Sequence, residues 1–177
     1  MTKANSLTRH QFIQRAFLGA SGLVALPSIT GFAAQEKPAP MKIDLVKEFV
    51  SAAHGKFDRV REMLESDHLL LHCSYDWGGG DFESAIEAAG HVGNKDIAHY
   101  LIGKGARYNI YLACMLGHLE VVRNVLTISP GLLNSKGPHG FTMLHHAQKG
   151  GMDAKPIVDY LSSLGAKDTK VDFYLWS

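Results

Sequence analysis

Acidic residues are missing from the first 34 positions of this 177-residue chain. Lys3, Arg9 and Arg15 are there instead, followed by the apolar stretch "AFLGASGLVALPSITGFAA". A basic start, an apolar middle and small residues in "GFA" before Ala34 stand in the order of a cleaved export leader. A long unbroken apolar run is lacking too. Gly19, Gly22 and Pro27 interrupt a stretch only about long enough to span a bilayer, which weakens the rival reading of an uncut membrane anchor. Cysteine is scarce, and neither Cys73 nor Cys114 lies near the cleavage site, which excludes a lipoprotein anchor.

Basic excess is absent once the leader is removed. Three of the 18 Lys and Arg lie in it and none of the 17 acids, so the mature chain carries a small net negative charge. That excludes the electrostatic footprint of a nucleic-acid binder and disfavours anionic membrane surfaces. No serine sits in a strained elbow motif, which leaves nucleophilic catalysis without a nucleophile. The glycines of "GGGDFES" have no accompanying Lys, and Asp81 and Glu83 would repel a phosphate there, which excludes a nucleotide loop.

What is present is self-similarity. "AAHGKFDRVREML", "AGHVGNKDIAHYLI", "ACMLGHLEVVRNVL" and "HAQKGGMDAKPIVDYLSSLGA" share one frame. A small residue (Ala52, Ala89, Ala113, Ala147) allows two helices to approach, and a glycine (Gly55, Gly93, Gly117, Gly151) turns the chain between them. The apolar stripe of each second helix is predicted at Val60/Met63/Leu64, Ile97/Leu101, Val121/Val125 and Ile157/Leu161. No unit buries such a stripe alone, so the units must stack.

"GFTMLHHA", with Gly140, Thr142, Leu144, His145 and Ala147, and "GHLEVVRNVL" resemble the ankyrin repeat family, with Met143 in place of its proline. The likeness runs from Ile43 to Lys167. "YDWGGGDFESA", "GARYNIYLACMLGHLEVV" and "GPHGFTMLHHAQKGG" further resemble a group of exported bacterial ankyrin-repeat proteins with no assigned activity. "TRHQFIQRAFLG" is similar to the twin-arginine export signal at Thr8, Arg9 and Phe12, with His10 at the second arginine position. The resemblance implies an all-α fold: an ankyrin-repeat solenoid of about four helix-turn-helix units with atypical end units. It also implies that Thr142, His145, Gly117 and Gly151 are structural, His145 and Thr142 bonding across a helix start. The expected organisation is a leader over 1–34, a linker over 35–41, the repeat domain over 42–168 and a tail over 169–177. Localisation is then periplasmic or otherwise exported, with inner-membrane tethering as the alternative if the leader stays uncut.

The spacing of the small residues is uneven. The step from Ala89 to Ala113 is too short for a full projecting connection, and the step from Ala52 to Ala89 is long. The excess falls in a segment read as a Gly-rich turn capped by Asp81 or Ser84. Its aromatics Tyr75, Trp77 and Phe82 either bind a partner or, for Trp77, fold back over the first unit. The tail aromatics Phe173, Tyr174 and Trp176 either cap the last unit or bind. Cys73 and Cys114 are separated by a whole unit, so two free thiols are predicted, Cys114 buried.

No metal and no cofactor are expected. Asp76 and Asp81 are a thin Ca²⁺ site. His68 and His72 lie four apart but lack an evident third ligand unless Cys73 serves, and His91, His99 and His118 belong to different units. The functional expectation is a protein-binding module, not an enzyme, recognising a partner protein through its concave face and loop tips. Its candidate contact residues are Tyr75, Asp76, Trp77, Asp81, Phe82, Tyr108, Tyr111, His139, Phe141 and His146, the last read as open to solvent. Nucleic acid is not expected as a partner, and membrane only if the leader is uncleaved. The alternative is a small-molecule or metal-dependent enzyme using the Asp76–Asp81 loop.

Overall fold

The structure is a computed structural model that describes residues 39–174. The leader and Leu175, Trp176 and Ser177 lie outside the described residues, as does most of the linker. From Pro40 to Tyr174 the chain is mostly helical. Eight α-helices occur among the described residues: α1 (Ile43–Ala52), α2 (Phe57–Ser66), α3 (Ala85–Val92), α4 (Lys95–Gly103), α5 (Ile110–Met115), α6 (Leu119–Ile128), α7 (Met143–Lys149) and α8 (Lys155–Ser163). None is long and apolar enough to cross a membrane.

The helices come as four consecutive pairs, each joined at one of the glycines singled out above. Odd-numbered helices stack on one another, α1 on α3, α3 on α5 and α5 on α7. Side chains close the helix starts that would otherwise leave backbone N–H groups orphaned. Asn94 accepts from Ile97 N (3.0 Å), Asn109 from Leu112 N (3.0 Å) and Thr142 Oγ1 from His145 N (3.3 Å). At α3, Ser84 donates both its amide and its hydroxyl to Glu87 Oε2.

Helix α5 lies at the centre. Leu112 and Met115 enter one apolar cluster with α1–α4, while Ala113 and Cys114 enter a second with α6–α8. All four are completely buried. Cys73 and Cys114 are free thiols, and burial pushes the Cys114 thiol up to about 12.

The stripe on α6 differs from the predicted one. Val122 and Leu126 point inward, whereas Val121 is exposed and Val125 is only partly covered. Each position is half of an apolar doublet, so the pattern alone does not choose, and packing sends the bulkier Leu126 to the core.

The short connection before α5 has a consequence for the stack. Helix α3 touches α7 directly, past α5. Gly93 makes this possible: it has φ +82°, and a Cβ there would sit 2.6 Å from the Lys149 carbonyl oxygen. The His145 ring closes the same contact by donating from Nε2 to the His91 carbonyl at 2.8 Å.

The long connection between α2 and α3 is a β-hairpin. Strand β1 (Ser74–Asp76) pairs antiparallel with β2 (Phe82–Ser84), Tyr75 opposite Glu83. Gly78, Gly79 and Gly80 all have positive φ, so the turn needs residues without a Cβ. The tail after α8 runs back beside the turn that leads into α7. Thr142 N donates to Thr169 O, Val171 N to Gly140 O, and Thr142 Oγ1 to Asp168 O.

Candidate functional site

The side-chain alternation of β2 builds the site. Phe82 points out to solvent, and the next residue, Glu83, points inward and is completely buried. A buried carboxylate needs partners or a neutralising charge. Trp77 supplies one partner, its indole Nε1 donating to Glu83 Oε2 at 2.8 Å. The rest of the surroundings are histidines.

Three of them come from different elements. His54 lies in the turn after α1, His91 near the C-terminal end of α3, and His139 in the turn before α7. His91 Nδ1 is 2.9 Å from Glu83 Oε1, His139 Nε2 is 3.4 Å from the same oxygen, and His54 Nε2 is 3.7 Å from Oε2. The close α3–α7 contact is what carries His139 to His91, their ring centroids lying 5.3 Å apart. One ligand atom from each of His54, Glu83, His91 and His139 falls within 4.8 Å of the others.

The outer nitrogens of two rings are already committed. Asp81 is buried and bonds His139 twice, from the backbone N–H to Oδ1 (2.8 Å) and from Nδ1 to Oδ2 (2.7 Å). His139 is the non-glycine residue with positive φ (+59°) among the described residues, and Asp81 grips it from both ends in that conformation. His54 Nδ1 faces the carbonyl oxygens of Val50 (3.2 Å) and Ser51 (3.3 Å). A carbonyl only accepts, so His54 carries its proton on Nδ1, and the carboxylate imposes the same on His139.

Burial pushes the Glu83 carboxyl up. The close polar approach of His91 and the electrostatic influence of the His91, His54 and His139 rings outweigh that and hold it below the usual carboxylate range. Glu83 is therefore an anion whose surroundings must supply positive charge. Glu83 Oε1 and His91 Nδ1 are close but do not meet at a hydrogen-bonding angle, and both lack a hydrogen-bond partner.

The ten candidate contact residues separate into three places. Tyr75, Asp76, Trp77, Asp81, Phe82, His139 and Phe141 gather around the hairpin. Asp76 Oδ1 is occupied by the N–H groups of Gly78 (2.8 Å) and Gly80 (3.2 Å), so it holds the turn, while Asp81 faces the other way onto His139. Tyr75 packs edge-on against Trp77, and Phe141 stacks on His145 at 4.0 Å. Tyr108 and Tyr111 lie apart, at the turn before α5 and on it; Tyr108 bonds His118, and Tyr111 donates to Ser135 Oγ at 2.9 Å.

His146 requires a correction. It is fully buried and donates Nδ1–H to Thr142 O at 2.8 Å, because α7 is packed against α3, α5 and α8 and has few faces left for solvent. The sequence reading gives His54 no role, names Glu83 only as an acid that would repel a phosphate, and places His91 apart from His99 and His118 in separate units. A usable signal was the recurrence of histidine beside the turning glycine in "AAHG" and "AGHVG".

At the rim of the hairpin the aromatics reach solvent. Phe82 is 58% exposed and Trp77 36%. Tyr174 of the tail, 67% exposed, lies over Gly79 and donates its hydroxyl to Gly78 O at 3.2 Å. Comparison with protein-family models and with curated protein sequences gave no match.

Proposed function

We propose that this chain is an exported ankyrin-type solenoid that binds a partner protein through the rim of its β1–β2 hairpin. One observation carries the reading: Trp77 and Phe82 of the hairpin, with Tyr174 of the tail laid over its turn, expose large aromatic surface, and the root of the hairpin is anchored in the helical stack by the buried residues Asp81 and Glu83. Aromatic side chains on a pre-ordered loop lose little conformational freedom on binding and supply most of the energy of an interface. The repeated frame, the capped helix starts and the stacked pairs support the ankyrin assignment. The acid-free leader supports export to the periplasm, by the twin-arginine or the general route. The reading is of a binding module rather than an enzyme. Asp76 is spent on holding the turn.

The test is cross-linking in living cells of the full-length tagged chain, beside a Phe82→Ala/Tyr174→Ala variant. Both side chains are largely exposed, so the variant keeps its fold. We expect a discrete partner recovered with the natural chain and lost with the variant. Recovery of the same proteins by both would overturn the assignment of this face.

A further inference from the structure

We propose that His54, Glu83, His91 and His139 bind one divalent transition-metal ion of the zinc class, which fastens the hairpin to the helical stack. This does not rest on the partner-binding reading. It rests on which atoms are left over once every other bond at the site is assigned.

Consider the two committed rings first. With Nδ1–H of His139 given to Asp81 and Nδ1–H of His54 given to main-chain carbonyls, both rings turn Nε2 towards the Glu83 carboxylate, and in the neutral ring that atom carries a lone pair. Two lone pairs facing an anion repel it unless a cation stands between. A proton on either Nε2 would draw that nitrogen to about 2.8 Å from the carboxylate oxygen, as charge-assisted hydrogen bonds do. The observed separations are 3.4 Å for His139 and 3.7 Å for His54. Two donors about 2.0–2.1 Å from a shared tetrahedral ion stand roughly 3.4 Å apart. The His139–Oε1 spacing is that of two ligands around an ion, while the 2.9 Å approach of His91 Nδ1 to Oε1 has to open by about half an ångström when the ion enters.

The second set of contacts points the same way. Metal-bound histidines give their outer N–H to a carboxylate or a carbonyl, which fixes the ring and raises its basicity. Asp81 does this for His139, and Val50 and Ser51 do it for His54. Trp77 occupies Glu83 Oε2, leaving Oε1 as the free donor, and Oε1 and His91 Nδ1 are two of the four buried side-chain atoms without a hydrogen-bond partner among the described residues. A purely structural hydrogen-bond network would leave these two buried atoms unsatisfied, which destabilises the fold.

Three imidazoles and one carboxylate, without a thiolate, select Zn²⁺ and its neighbours Co²⁺, Ni²⁺ and Cu²⁺. Ca²⁺ and Mg²⁺ require more oxygen donors than Glu83 provides. Four protein donors close a tetrahedron, which assigns the ion a structural role rather than a hydrolytic one. His54, a third exposed, is the side by which the ion arrives.

The experiment uses the full chain with no histidine tag, stripped with a chelator and titrated with Zn²⁺ alone, Co²⁺ alone and, as controls, Ca²⁺ and Mg²⁺. We expect one equivalent of Zn²⁺ per chain and a rise in Tm of about 5–15 °C at saturating metal. Bound Co²⁺ should give intense visible bands of tetrahedral nitrogen and oxygen coordination without thiolate charge transfer, and Ca²⁺ and Mg²⁺ should do nothing. Glu83→Gln and His91→Gln should lose binding at least a hundredfold. His54→Gln, at a partly exposed position that is safe for folding, should lose at least tenfold, and His68→Gln/His72→Gln should bind like the natural chain. Thiolate charge transfer would place the ion at Cys73 and overturn the assignment. So would unchanged affinity in His54→Gln, or the absence of any shift in Tm with Zn²⁺.

Discussion

His146 shows how one buried side chain sets a response to acid. Burial lowers its pKa to about 4, with the Thr142 hydrogen bond opposing, and its Nε2 has no partner. Above pH 6.5 the ring is neutral in both folded and unfolded chains and contributes nothing. As pH falls from 6.5 towards 4, the unfolded chain takes up a proton that the folded one refuses, so stability falls by about 1.4 kcal/mol per pH unit. The whole loss comes to roughly 3 kcal/mol. His146→Asn keeps a donor for Thr142 O and cannot titrate. Urea unfolding at pH 7, 5.5 and 4 should show the natural chain losing roughly 3 kcal/mol more than the variant over that range. Parallel losses would mean that His146 is charged inside the fold.

At the scale of elements, the glycine at the end of α3 sets the approach of α7. Gly93→Ala places a Cβ against the Lys149 carbonyl in a backbone conformation that disfavours any side chain. The expected cost is about 2 kcal/mol or more, read as a lower urea midpoint with an unchanged slope. Gly55→Ala, which meets open space, should cost far less. These helices were legible in the sequence, because an apolar stripe at 3.6-residue spacing repeats four times, punctuated by glycine. The hairpin was not, because three-residue strands are too short to show alternation and their glycines read as a bare turn. The histidine cluster stayed hidden for a related reason. His54 and His91 each sat inside the repeated frame, and only the α3–α7 contact, which no local pattern encodes, brings His139 to them. His146 was misplaced because a helix packed on three sides has few solvent faces, whatever its neighbour His145 does.

At the scale of the molecule, the two apolar clusters meet at α5, and α3 and α7 clasp across it. A stack in which each pair touched only its neighbours could fray from one end. Here the second and fourth pairs are cross-connected, and unfolding should be one concerted step. In a Trp176→Phe chain, Trp77 is the sole indole and its fluorescence follows the hairpin, while far-ultraviolet circular dichroism follows the helices. The two denaturation midpoints should coincide. Earlier loss of the fluorescence signal would make the hairpin a separately melting piece. The same clasp bears on how such a chain can change over generations. Open arrays gain and lose units by tandem duplication, since a new copy needs only a neighbour on each side. In this chain an inserted copy between the second and fourth pairs would pull Gly93 from Lys149 and His91 from His139. Insertion between those pairs is disfavoured, which leaves substitution within units and growth at the two ends as the easier routes of change.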